Sequence, residues 1–130
     1  MKRGLLLFAH GARDPNWALP FEAVAGIVRK ERPEMPVRLA FLEFMSPSLL
    51  DAGHELAALG CMQIDVVPLF LGAGGHVRKD LPALLSDLAQ AHAAVSWKLQ
   101  PAIGEIDSVV LAMARAALVL SDTSSSSDAK

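Results

Sequence analysis

The sequence has a single cysteine, Cys61. No internal disulfide can form, and a reducing cytoplasm is the expected setting. It has no basic excess: the net charge is −2 and the pI about 6.0. That argues against a protein that tracks nucleic-acid phosphates. No apolar run approaches the roughly 18 residues of a membrane span. The apolar run in the opening "MKRGLLLFAHG" stops at His10-Gly11. It is too short for a secretory signal and reads as a buried strand. HExxH, paired CxxC, GxSxG, Walker and GxGxxG signatures are all missing, so the commonest zinc-protease, hydrolase and nucleotide-loop readings have no support. "GAGGH" lacks the Lys-Ser/Thr that would complete a phosphate loop.

What is present suits one α/β domain. The chain has 130 residues, 52% of them hydrophobic and 20% charged, enough for a buried core. Apolar runs alternate with helical spacings. Residues 3–9, 36–44, 62–71 and, more weakly, 94–100 read as strands. Residues 17–31, 46–60, 77–93 and 106–120 read as helices. Ser46 or Ser48 can cap the second helix, with Pro47 in its first turn and Gly60 at its end. The third is expected to be helical after Pro82. The tail from 121 to 130, "SDTSSSSDAK", is expected to be disordered. This order implies a single three-layer domain, residues 1–120, with a four-stranded, mainly parallel sheet and helices on both faces.

Ligands of such sheets bind beyond the carboxyl ends of the strands. His10 follows the first strand, Glu43 the second, and the Gly74-Gly75-His76 stretch the third. Imidazole is both a ligand for divalent metals and a base near neutral pH. His10 can otherwise cap backbone groups in a tight loop. His76 opens a helix, whose dipole favours the neutral ring, or it is only a cap. Glu43 is flanked by Phe41, Leu42, Phe44 and Met45. Apolar surroundings would raise its pKa and make it a proton acceptor; the plainer reading is a solvated loop carboxylate. Arg13, Arg78 and Lys79 can meet anionic groups or be ordinary surface charge, and Asp14 and Asp80 can pair with them or cap helices. His54 reads as surface and His92 as a helix-end cation. Cys61, Met45, Met62, Trp17 and Trp97 read as packing, the tryptophans as core or interface.

Three stretches together, "LLLFAHGARDP", "VRLAFLEFMSPSL" and "VVPLFLGAGGHVRKDLP", resemble the small form of the sirohydrochlorin cobaltochelatase family, among the class II tetrapyrrole chelatases. The likeness runs from about residue 4 to 104. Ala12 departs from it, standing where serine is expected. The resemblance implies half of a class II chelatase fold. It implies insertion of Co²⁺ or Fe²⁺ into sirohydrochlorin with loss of two protons, towards cobalamin or sirohaem. His10 and His76 would hold the metal and work on the ring, with Glu43 as helper. Arg13, Gly74, Gly75 and Arg78 would meet the substrate. The metal would be a substrate, with no tightly bound cofactor. Larger members carry two such domains, so the resemblance implies a homodimer whose sheet edges frame the cavity, with no nucleic-acid or membrane partner. A sirohaem ferrochelatase and a non-catalytic metal or tetrapyrrole carrier are the alternatives. A metal-dependent hydrolase is disfavoured by the lack of an aspartate cluster or nucleophile.

Overall fold

The computed structural model describes residues 2–72 and 74–127, without the side chains of residues 75–78 and 123–127. Strand β1 spans Arg3–Ala9, and a 3₁₀ turn at Pro15–Ala18 leads into helix α1, Leu19–Glu31. Strand β2 is Val37–Phe41, helix α2 Leu49–Ala58 and strand β3 Gln63–Pro68. Helix α3 is Gly75–Ala91, strand β4 Ser96–Leu99 and helix α4 Asp107–Ser127. The four strands lie in the order β2-β1-β3-β4 and every pairing is parallel. The sheet is thus wholly parallel.

β1 sits between two neighbours, with Phe8 opposite Ala40 on β2 and Pro68 on β3. Its apolar run is explained by burial on both sides. Leu6 and Phe8 join Ile64, Val66, Leu56 and Leu88 on the face covered by α2 and α3. Leu7 and Ala9 join Leu39, Phe41, Ala18 and Ala25 on the face covered by α1. Alternate residues pointing to opposite faces, both of them apolar, is the pattern of a central parallel strand. Cys61 is fully buried in the first cluster; burial pushes its thiol pKa up, and Lys2 and Arg38 oppose this more weakly.

Three local expectations change. Helix α2 begins after the cap at Ser48, whose hydroxyl accepts from Asp51 N at 3.1 Å. Pro47 therefore precedes the helix instead of sitting in its first turn. Its carbonyl is engaged by Phe41 N at 2.9 Å, which ties the loop back to the end of β2. Helix α3 begins at Gly75, and Pro82 lies inside it. Extended Gly74 serves as the cap, and the proline removes one intrahelical donor without ending the helix. α4 runs on to Ser127, into the stretch expected as a disordered tail from 121; residues 128–130 lie outside the description. Neither proline nor glycine follows Leu120, so nothing stops the helix there.

Gly53 on α2 lets Leu88 of α3 approach: a Cβ at Gly53 would lie 2.7 Å from Leu88 Cδ2. Helix propensity alone makes Gly53→Ala stabilising by up to about 1 kcal/mol. Because Leu88 is fully buried and must shift, the substitution is expected to destabilise instead, by about 1–3 kcal/mol. A urea midpoint equal to or above that of the unmodified protein would contradict this packing.

Candidate functional site

The loops after β1 and β2 are laced together at the carboxyl edge of the sheet. Leu42 N donates to Ala9 O at 3.0 Å and Glu43 N to His10 O at 3.1 Å. Gly11 makes this possible. Its φ is +95°, and a Cβ there would fall 1.9 Å from the Glu43 carbonyl oxygen. Only glycine accommodates both the angle and the approach. Phe44 also has a positive φ, 65°, which turns the chain so that its ring lies 5.0 Å beneath the Arg13 guanidinium, a cation–π contact.

The side chains of His10 and Glu43 meet: Nε2 and Oε1 are 3.3 Å apart, and the two side chains are 51% and 49% exposed. Glu43 is therefore not enclosed by its apolar neighbours, as the sequence reading supposed. Phe41 turns into the α1-side core and Leu42 packs against the other cluster, leaving the carboxylate outward beside the histidine. Behind His10 stands Phe70, buried, with ring centroids 6.2 Å apart at 69°. Phe70 is braced in turn edge-on by Phe8 at 5.8 Å. A carboxylate on one side and an aromatic ring on another orient the half-exposed imidazole, which suits a ligand or base that must be aimed.

The remaining candidates divide. Arg13 is exposed above Phe44, and Asp14 caps the following 3₁₀ turn, accepting from Asn16 N at 2.9 Å. Gly74 is the exposed cap of α3 with φ −72°. That angle suits any residue, so the unusual backbone expected there belongs to Gly11. Among the described residues, a Cβ at Gly74 would meet nothing within 4 Å. Gly75, His76 and Arg78 occupy the first turn of α3, beyond β3 and so beyond the same edge of the sheet. Their side chains lie outside the described ones. Lys79 and Asp80 are exposed.

Sequence reasoning missed two features. Phe70 reads as lying near the end of the third apolar run, at the same edge; its ring contact with the first histidine is a tertiary fact. His54 and His92 form a pair, Nδ1 to Nε2 at 2.7 Å, joining α2 to the end of α3. Among the described residues no group of three or more metal-ligating side chains occurs. His10 and Glu43 meet at the edge as a pair.

A family model described as CbiX matches residues 4–118. The chain belongs to the CbiX family. It is 39% identical over 84 residues to a sirohydrochlorin cobaltochelatase of Methanothermobacter thermautotrophicus, covering 65% of this chain and 58% of that one. The chain thus spans less than two thirds of the length of the first curated relatives it matches. Its fold is similar to that of a CbiX protein of Marinobacter aquaeolei VT8 assigned to cobalamin (vitamin B12) biosynthesis. There the TM-score is 0.82 at 31% identity, covering 93% of this chain and 98% of that one. It is also similar to SirB from Bacillus subtilis solved with Fe³⁺: TM-score 0.75, 25% identity, 86% of this chain and 44% of that one. The match thus covers less than half of that protein.

In this family member the edge loops stand or fall with one contact. Gly11→Ala is expected to break the Gly11–Glu43 approach, costing stability by more than about 1 kcal/mol and releasing the His10–Glu43 pair. Gly74→Ala, with an ordinary φ and no described neighbour in the way, should be nearly neutral. Thermal unfolding of the two variants side by side checks this; equal midpoints would refute the close approach.

Proposed function

We propose that the protein inserts Co²⁺ into sirohydrochlorin and releases two protons. The observation that carries the reading is the His10–Glu43 pair, half exposed on the open carboxyl edge of a CbiX-family sheet. Cobaltochelatase relatives support the choice of metal and tetrapyrrole. The metal is a substrate and no tightly bound cofactor is invoked. A reducing cytoplasm suits the one buried thiol, and no described helix is long and apolar enough to cross a membrane.

Insertion removes waters from the ion and two protons from pyrrole nitrogens, while two metal–nitrogen bonds replace the two N–H bonds. Neutral His10 can donate from Nε2 to Glu43 and keep Nδ1 as a base or ligand; it can equally turn Nε2 to the ion while Glu43 takes a proton. His76, placed by its backbone at the start of α3, is proposed as the second imidazole. A site of few ligands lets the ion leave for the macrocycle, where a closed tetrahedral site would keep it. Arg13 and Arg78 are proposed to receive substrate carboxylates, with Gly74 and Gly75 leaving room for the flat ring. Because one chain supplies one sheet edge, the working form is proposed to be a homodimer whose two edges enclose the tetrapyrrole.

The test mixes the purified protein with sirohydrochlorin and Co²⁺ and follows tetrapyrrole absorbance, with Fe²⁺ in a parallel arm. His10→Ala should lower the rate by about 10²-fold or more; Glu43→Gln should cost less, and the pH profile should move with it. A rate equal to the uncatalysed one with either ion would overturn the enzyme reading in favour of a carrier. Faster turnover with Fe²⁺ would favour the ferrochelatase reading, which the similarity to SirB solved with Fe³⁺ keeps in view.

A further inference from the structure

The His54–His92 contact lies away from the carboxyl edge, and the proposed insertion makes no use of it. His54 sits in the middle of α2, and His92 caps the end of α3. Helix α3 starts beyond the carboxyl edge and takes 17 residues to reach that cap, about 25 Å of helix. The pair is therefore remote from His10 and Glu43.

Three packed elements hold the two rings together. Gly53, the residue before His54, meets Leu88, one turn before His92, so closely that a Cβ would not fit between them. That approach sets the spacing of the two helices at the pair. The His92 backbone is held on both sides: its N–H donates to Leu88 O at 2.9 Å, and its carbonyl accepts from Val95 N at 3.0 Å. Its ring lies against Trp97 of β4, with centroids 6.1 Å apart. The carbonyl end of α3 carries partial negative charge, which favours a cation there.

His54 Nδ1 and His92 Nε2 are 2.7 Å apart. Such a contact is one N–H donated to one lone pair. Moving that proton to the other nitrogen of its ring leaves two lone pairs facing one position. Two imidazole nitrogens bound to one ion at about 2.0–2.1 Å each are about 2.9 Å apart at a right angle and about 3.3 Å apart at the tetrahedral angle. The observed spacing is near the first value. Right angles belong to square and octahedral ions, which selects Cu²⁺ or Ni²⁺ over Zn²⁺. His54 is exposed, so water can fill the remaining positions, and no group of three protein ligands is present among the described residues. We infer that His54 and His92 form a second metal site, which takes one square or octahedral divalent ion, Cu²⁺ or Ni²⁺, as a clasp between α2 and α3. Unlike the ion proposed for insertion, this one stays where it binds, because both ligands stand on packed elements far from the carboxyl edge.

The test titrates the full chain carrying His10→Ala with Cu²⁺ and reads electron paramagnetic resonance. That substitution removes the imidazole of the edge pair, so the edge contributes no His10 nitrogen. The bound ion should show couplings from two imidazole nitrogens. Adding His54→Gln should remove one coupling and weaken binding by about 10²-fold, the gain that tethering two ligands gives; His92→Gln should do the same. His54 is exposed, so its variant carries the test should the His92 variant, which loses its packing on Trp97, fail to fold. In the same background Ni²⁺ should raise the urea unfolding midpoint, and His54→Gln should abolish the rise. An unchanged affinity and a persistent two-nitrogen signal in the His54→Gln protein would overturn the site. So would the lack of a two-nitrogen signal while both histidines are present, which would leave the contact a hydrogen bond only. Tighter binding of Zn²⁺ than of Ni²⁺ would overturn the right-angle assignment.

Discussion

The carboxyl edge is organised by one steric fact: the chain at Gly11 passes so close to the Glu43 carbonyl that no side chain fits between them. That approach brings two loops, separated by a helix and a strand in sequence, into hydrogen-bonding range. The His10–Glu43 side-chain pair is its product. Phe70 then supplies the third side of the imidazole's surroundings. A base or ligand so constrained pays little entropy when it engages a substrate, and its aim is set by packed core residues rather than by a mobile loop.

Much of this arrangement was legible in the residues. β1 could be read because a continuous apolar run ended abruptly in His-Gly, and burial on both faces is what such a run requires. The alternation of strands and helices led to the parallel sheet, and the rule for parallel sheets led to the edge where His10 and Glu43 meet. Less legible were features decided by tertiary contact. Pro47 looked like a first-turn helix residue, but its carbonyl is bound by Phe41. The glycines at 74 and 75 drew attention by adjacency, while the glycine that geometry demands is the isolated Gly11. The surroundings of Glu43 looked apolar in one dimension; in three, Phe41 and Leu42 turn into opposite cores, Phe44 lies exposed beneath Arg13, and the carboxylate faces outward. The His54–His92 contact joins residues 38 positions apart, and nothing in local spacing announces it.

The two faces of the sheet are unequally covered. α2 and α3 close one of them over fully buried Leu6, Phe8, Ile64 and Val66. On the other, α1 shields β1 and β2, while Val67 and Leu69 of the β3 region are only partly buried. A domain of this size leaves a larger share of its surface uncovered than a longer one does, and here the uncovered apolar area falls on the β3 side of that face.

The sheet also ends in two edge strands, β2 and β4, whose outer backbone groups invite further strands to add. Each carries a cation, Arg38 in β2 and Lys98 in β4, and β4 is only four residues long. Short, charged borders of this kind resist ribbon-like stacking and fibre growth. Self-association of this chain is thereby steered away from open-ended sheet polymers.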